Sequence, residues 1–152
     1  MKNFLFIAGI IFLIFTRVNA QDIKEIDGLY YENNEPYSGE YTTYYDNGQV
    51  KLEMKVRDGE KHGKVKIYFD NGRLNEIRSY KNNLMHGKWE MYNEKNILIS
   101  VARYKNGRKH GKWMIWNDEG KLLYELQYTN GEKTGIWKSY DGAGNLLDER
   151  KY

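Results

Sequence analysis

Apolar and polar residues alternate along most of the chain in runs of strand length, separated by clusters of glycine, asparagine and aspartate. Stretches such as "KWEMYN" and "KLLYELQY" combine aromatic and aliphatic residues in the manner of β-strands. No segment after the first twenty residues keeps a helical period. The pattern predicts an all-β protein whose strands are joined by tight turns.

The pattern also repeats. Five glycines recur at a constant spacing of 24 residues, with no insertion or deletion between them: Gly39, Gly63, Gly87, Gly111 and Gly135. Apolar residues recur two, five, eleven and seventeen positions after each glycine. The last of these positions holds Val56, Tyr80, Tyr104, Tyr128 and Tyr152. A fixed period of this length indicates one structural unit per repeat.

Two turn signals occur in each repeat. The first is Asp46-Asn47-Gly48, Asp70-Asn71-Gly72 or Asp118-Glu119-Gly120, with Asn96 in place of glycine in the third repeat. The second is Asp58-Gly59, Asn82-Asn83, Asn106-Gly107 or Asn130-Gly131. Glycine and asparagine tolerate the positive φ that tight hairpin turns require. We therefore predict an elongated antiparallel meander of stacked β-hairpins. In the acidic column Asp46, Asp70, Glu94 and Asp118 we expect each carboxylate to accept hydrogen bonds from the turn backbone.

The first twenty residues have the features of a cleavable secretory signal peptide. Lys2 precedes an apolar run from Phe4 to Phe15, and Val18-Asn19-Ala20 supplies small residues before the expected cut. The run is shorter than the ~20 residues that a membrane span needs. We therefore predict export to the periplasm, cell surface or extracellular space, with no transmembrane span in the mature chain.

The remaining chain divides into a short start and the repeats. Residues 21–38 read as a leading half-repeat or cap, with Leu29 to Glu32 as a strand and Pro36 in a loop. Residues 39–152 read as five 24-residue repeats, the last one partial. The mature length suits one domain.

A resemblance follows from these motifs. Gly-x-Trp-x-x-Tyr, then Asp-x-x-Gly-x-Leu, Tyr-x-Asn-Gly and a closing glycine resemble the MORN-repeat variant family over about residues 28–152. The resemblance implies a β-hairpin fold and roles in binding or assembly, sometimes with lipid contact, and no shared catalytic residues. Bacterial members are often labelled antitoxins of toxin–antitoxin systems. A signal peptide fits that label only where the toxin acts outside the cytosol.

Charge and cysteine content exclude some functions and one means of stabilising the fold. The net charge is +3, and loss of Lys2 and Arg17 leaves 22 basic against 21 acidic side chains. Nucleic-acid binding needs a clear basic excess or a one-sided patch, so this balance argues against it. The chain has no cysteine. The fold must therefore hold by packing and hydrogen bonds alone, without disulfides.

Three histidines could suggest a metal site or a general base. His62, His86 and His110 each precede a repeat glycine, and Ser38 and Thr134 fill the same slot at the ends. Equivalent residues two strands apart lie ~10 Å from each other, too far to share one zinc ion. Catalysis needs unlike groups clustered in space, whereas repeats give columns of like residues. We predict turn histidines, no metal site, no cofactor and no enzymatic activity.

The aromatic columns are the remaining candidates. Tyr41, Trp89, Trp113 and Trp137 share a strand face with Ile67, Met91 and Ile115, which predicts core. A second column lies five residues after each glycine, an odd number of positions from the tryptophan column. Its side chains therefore point to the other face of the sheet, beside Lys66, Glu90 and Lys138. We name it the tyrosine column, and it comprises Tyr44, Tyr68, Tyr92, Trp116 and Tyr140. Aromatic side chains among charges are typical of a binding surface, unless a bulge turns the column into the core or the tyrosines merely cover the sheet.

Three functions stay open on the sequence. The first is an exported, non-catalytic repeat scaffold that mediates protein–protein binding or assembly at the cell envelope. The second is an antitoxin-like or immunity-like inhibitor of a partner toxin. The third is a binder of envelope lipid or glycan. A protein partner is the leading expectation, and a lipid or glycan is the alternative.

Overall fold

The computed structural model describes residues 22–152, and the predicted signal peptide at 1–20 lies outside the described residues. The described chain is built of strands and turns. Within it, no helix has the length and hydrophobicity to cross a membrane.

Sixteen strands follow one another along the chain. Their bounds are β1 Ile23–Ile26, β2 Leu29–Glu32, β3 Glu35–Pro36, β4 Gly39–Tyr44, β5 Val50–Arg57, β6 Glu60–Tyr68, β7 Leu74–Lys81, β8 Leu84–Met85, β9 Gly87–Tyr92, β10 Leu98–Lys105, β11 Arg108–Lys109, β12 Gly111–Trp116, β13 Leu122–Thr129, β14 Glu132–Lys133, β15 Ile136–Tyr140 and β16 Leu146–Lys151. Thirteen of them form one sheet in the order β16-β15-β13-β12-β10-β9-β7-β6-β5-β4, with β8, β11 and β14 pairing β7, β10 and β13. Neighbours pair antiparallel throughout, so the predicted meander of stacked hairpins is confirmed.

In the last three repeats the first strand is interrupted next to the repeat glycine. The gaps separate β8 from β9, β11 from β12 and β14 from β15, and the strand then resumes on the same partner, whereas β6 runs through Gly63 without a break. Gly111 has φ 73°, and an added Cβ would lie 3.2 Å from the Arg103 side chain. A residue with a side chain would therefore be strained and crowded at this point.

A second irregularity recurs where each hairpin closes. Ile67 pairs with Glu76, yet the next residue, Tyr68, pairs with Leu74, so one extra residue is inserted on β7. Equivalent register shifts occur in the other four hairpins. Such bulges raise local twist and give each repeat the same bend.

The second turn signal forms the two-residue turns that were predicted. Asp58 and Gly59 have φ values of 50° and 80°, and Asn106 and Gly107 have 49° and 80°. Positive φ at both central residues is the type I′ geometry that matches the twist of the flanking strands. Asn82 and Asn83 adopt similar values without glycine.

The expectation for the acidic column at the first turn is wrong. The acceptor in the last three repeats is the residue one position earlier, and Asn93 Oδ1 accepts from the N–H groups of Lys95 and Ile97. Asn117 and Asp141 do the same in their repeats. In the first repeat Asn47 accepts from Gln49. The short side chain reaches the loop backbone from these positions, and the residues of the acidic column are exposed.

Residues before Gly39 form a separate small sheet of β1, β2 and β3. The β1–β2 turn at Asp27 and Gly28 has φ 51° and 80°. Pro36 lies in β3, opposite Tyr31, rather than in a loop. Since this ladder is two residue pairs long, the missing proline N–H costs little there.

Burial is uneven. A small core forms where this leading sheet packs on the first hairpins, and it consists of Tyr30, Tyr37, Met54, Val56 and Val65. In later repeats Trp89, Trp113 and Trp137 are only half-buried, and Met91 is 40 % exposed. The prediction that the tryptophan column is core is therefore wrong for these tryptophans, although Ala102 and Tyr128 on the same face are buried. Only the leading sheet supplies a second layer among residues 22–152, so the rest is one sheet thick.

Candidate binding surfaces

The face that carries the tryptophans bears a continuous row of aromatic rings. Trp113 lies between Tyr104 and Tyr128, with ring centroids 5.2 Å away on each side and planes tilted by 59° and 57°. The row runs through Tyr80, Trp89, Tyr104, Trp113, Tyr128, Trp137 and Tyr152. We call it the aromatic ladder. Tilted pairs at this distance favour edge-to-face attraction between the rings.

Two further contacts fix the ladder. Each indole N–H donates to a backbone carbonyl ten residues earlier, and for Trp113 the acceptor is Arg103 at 3.0 Å. Trp89 and Trp137 make the same bond to Ser79 and Gln127. Lys109 Nζ lies 4.8 Å from the Trp113 ring and 4.9 Å from the Tyr128 ring, and Lys133 repeats the arrangement at Trp137 and Tyr152. The ladder thus covers its own face with rings and lysine stems.

Sequence reasoning missed the tyrosines of this ladder as partners of the tryptophans. They occur seventeen residues after each glycine, and antiparallel pairing places each tyrosine opposite the glycine of its own repeat, as Gly111 opposite Tyr128. Because glycine leaves space above the sheet, the tyrosine ring can lean onto the tryptophan two residues along. The sequence signal that could have predicted this contact was the glycine, which lies opposite the tyrosine and two residues before the tryptophan.

The tyrosine column lies on the opposite, charged face. Tyr68 Oη donates to Glu53 Oε2 at 2.8 Å, and Lys66 Nζ lies 3.4 Å from the same oxygen. Glu53 and Lys66 oppose each other across β5 and β6, next to the buried pair Met54 and Val65, so their side chains point away from the core. The hairpin bulge adds its extra residue on the partner strand and does not turn the column inward.

The rings of this column differ in exposure. Tyr44 is 62 % exposed, and Tyr68, Tyr92, Trp116 and Tyr140 are half-buried. Burial and the Glu53 carboxylate raise the pKa of Tyr68. Burial and Glu90 raise the pKa of Tyr92, and Glu90 forms a 2.7 Å ion pair with Lys88. The column is therefore a row of partly exposed rings set among ion pairs.

The histidines lie at the two-residue turns. His110 Nδ1 accepts from the Asn130 N–H at 3.4 Å, and His86 Nδ1 lies 3.5 Å from the Asn106 N–H and 3.2 Å from Asn106 Oδ1. Ser38 Oγ fills the same role and accepts from the Asp58 N–H at 2.7 Å. His62 Nδ1 is buried and has no hydrogen-bond partner in the described chain. Two of the three histidines thus cap the next turn, as the serine does.

The geometry offers little for chemistry on a small substrate. Between residues 22 and 152, no three potential metal ligands come together. An open groove of about 430 Å³ lies on the charged face, with Glu125, Ile136 and Lys138 among its lining residues. Its lining is drawn from adjacent strands of one sheet, so it is a surface depression.

Fold and surfaces together define a β-hairpin repeat protein that presents parallel columns of side chains on an extended sheet. A family model described as "MORN repeat variant" matches four times in tandem, at residues 37–58, 61–82, 85–106 and 109–130. The chain belongs to this family. Membership indicates a repeat scaffold that binds proteins or membranes. A search of curated proteins finds no match.

Proposed function

We propose that the chain is an exported, non-catalytic repeat scaffold that binds a protein partner through the tyrosine column. The observation that carries the proposal is the repetition of one partly exposed ring per hairpin on the open, charged face of a single-layer sheet. Such rings offer large contact area at low entropic cost.

The spacing of the column suits an extended partner. Equivalent strands lie two apart, so successive rings recur at ~10 Å. Each ring alone gives a weak contact, and several engaged together raise the affinity as linked binding sites do. Ion pairs such as Lys66–Glu53 and Lys88–Glu90 flank the rings and supply the polar rim of an interface.

Absence of catalysis is part of the proposal, and it rests on the columns. Histidines, carboxylates and aromatic rings each recur with their own kind, and the Nδ1 atoms of His86 and His110 are engaged by turn N–H groups. Acid–base or nucleophilic chemistry requires a nucleophile, a base and an orienting group placed together, and columns of like side chains do not by themselves supply that set.

Partner capture on matched variants tests the proposed surface. The mature chain with Tyr92→Ala and Trp116→Ala should lose most of its capture of the partner from exporting cells and should keep its melting temperature within a few degrees. The control is Met91→Ala with Ile115→Ala, the neighbouring positions on the other face, which should capture normally. Equal loss in both variants would contradict a role for the tyrosine column.

Export has its own test. Val18-Asn19-Ala20 provides the cleavage pattern, so mass spectrometry of the protein recovered outside the cytosol should find Gln21 at the N-terminus. An intact Met1 on the functional protein would contradict export by a cleaved signal.

A further inference from the structure

Charge is distributed unequally along the described chain. Residues 22–38 hold five acidic and one basic side chain, a net charge of −4. Residues 39–152 hold 21 basic and 16 acidic side chains, a net charge of +5. The overall balance therefore hides an acidic leading sheet and a basic array of repeats, and opposite charges of this size favour association between copies.

The acidic end concentrates at one turn. Glu32 and Glu35 oppose each other across the two-residue turn Asn33–Asn34. Neither carboxylate has an ion-pair partner within residues 22–152. Like charges directly opposite on paired strands repel, and a cation between them would relieve that repulsion. We call this segment, residues 32–35, the acidic turn.

A basic counterpart lies at the equivalent turn of the third repeat. Lys105 and Arg108 oppose each other across Asn106–Gly107. Neither they nor the adjacent Lys109 has a carboxylate partner in the described part of the chain. Residues 105–108 are named the basic turn. Beside it lies a groove of about 220 Å³ whose lining has no acidic residue and includes His86, Arg103, Lys105 and His110.

The leading sheet already shows how a segment packs along the row of two-residue turns, which forms one edge of the large sheet. The Tyr30 N–H donates to the Gly59 carbonyl at 2.9 Å, and Asn83 Nδ2 donates to the Gly28 carbonyl at 3.1 Å. Lys61 makes a 4.0 Å ion pair with Glu25 and lies 5.3 Å from the Tyr30 ring. The leading sheet thus spans the first two such turns.

The edge continues beyond the point where the leading sheet ends. Lys109 lies two 24-residue periods after Lys61, and the equivalent position between them holds Met85. Gly107 is equivalent to Gly59, and no donor from residues 22–152 reaches its carbonyl. Lysine and carbonyl are therefore present at the third turn, and within residues 22–152 nothing there takes the place of Glu25 and Tyr30, which contact them at the first turn.

We infer that a second copy of this chain is the occupant, with its acidic turn docked on the basic turn and the adjacent Lys109. The contact joins different surfaces of the two copies, so it leaves a free acidic turn and a free basic turn at the ends and permits further addition. It uses neither the tyrosine column nor its partner, so the two proposals stand or fall separately.

Sedimentation velocity on the mature chain tests the association. At about 0.05 M salt the sedimentation coefficient should rise with protein concentration, and at about 0.5 M it should return to that of a monomer, because the screening length shortens. The double variant Lys105→Glu and Arg108→Glu should weaken self-association at least about tenfold, as should Glu32→Lys with Glu35→Lys. The matched control is Lys112→Glu with Lys121→Glu, two exposed lysines that form no ion pair with residues 22–152, and it should associate like the parent.

Mixing the two charge-reversed variants gives the decisive result. Each variant should be monomeric alone, and an equimolar mixture should associate again, since the reversed turns are complementary to each other. A chain that stays monomeric at low salt, or a mixture that fails to associate while both variants keep the parent melting temperature, would overturn the inference. If the chain stays monomeric and binds heparin through its basic turn, the occupant of the site is another polyanion. That result would also overturn the inference.

Discussion

At the scale of single residues, each tryptophan of the ladder has two separable contributions. Trp113 stacks between Tyr104 and Tyr128, and its Nε1–H donates to the Arg103 carbonyl. Trp116, three residues later, lies on the other face in the tyrosine column. The two indoles therefore differ in role although they share a strand.

Substitution at these two positions separates the contributions. Trp113→Phe keeps a ring and loses the hydrogen bond, at an expected cost of about 1 kcal/mol of unfolding free energy. Trp113→Ala also loses the stacking, at about 3 kcal/mol, the low end for large-to-small changes because the residue is half-buried. Trp116→Phe should cost near zero. Urea denaturation measures all three, and a larger loss for Trp116→Phe than for Trp113→Phe would contradict the assignment of faces.

Tyrosine ionisation gives a residue-scale prediction for pH. The pKa of Tyr68 is raised above 10.0 by burial and by Glu53. The folded state therefore holds the phenol proton more tightly than the unfolded state. The contribution of this phenol to folding stability is fully present below about pH 10, and it is lost as the pH rises through the pKa of Tyr68 in the folded state. Urea midpoints between about pH 8 and pH 11 should fall more for the parent than for Tyr68→Phe, and identical slopes would contradict the contact with Glu53.

At the scale of elements, one hairpin per 24 residues is a modular unit. Hairpins contact mainly their neighbours, so stability should approximate a sum of units and interfaces. Removal of residues 63–86 joins His62 to Gly87 and keeps every pairing in register. Circular dichroism and thermal melts should show a folded, shorter sheet. Removal of residues 63–74 deletes a single strand, reverses the direction of the following strands and should unfold the protein; equal damage from both deletions would contradict the modular model.

Most features of the hairpin were readable from the sequence, because turn residues act locally. Asp58-Gly59 and Asn106-Gly107 take the backbone angles that their side chains favour. The acceptor at the first turn was misplaced by one position, since Asp118 and Asn117 both suit a turn and only loop geometry selects Asn117. The recurring bulge left no residue signature, because the inserted positions hold charged, amide and aliphatic side chains, as at Lys51, Asn75 and Ile99.

At the scale of the whole molecule, thickness was the property that sequence reasoning missed. Alternation predicts which residues share a face, but it does not show whether a second layer covers that face. The leading sheet covers Met54, Val56 and Val65, and beyond it the aromatic ladder is only partly buried except at Tyr128. The tyrosine column was correctly placed among charges, and its role in binding stays a prediction.

The central claim is that a protein partner binds the face that carries the tyrosine column. A photo-reactive phenylalanine analogue at position 116 or 115 tests it most directly, because Trp116 and Ile115 are adjacent and point to opposite faces. Irradiation of exporting cells should cross-link one partner protein from position 116 and give little product from position 115. Cross-linking of that partner from position 115 alone would contradict the account.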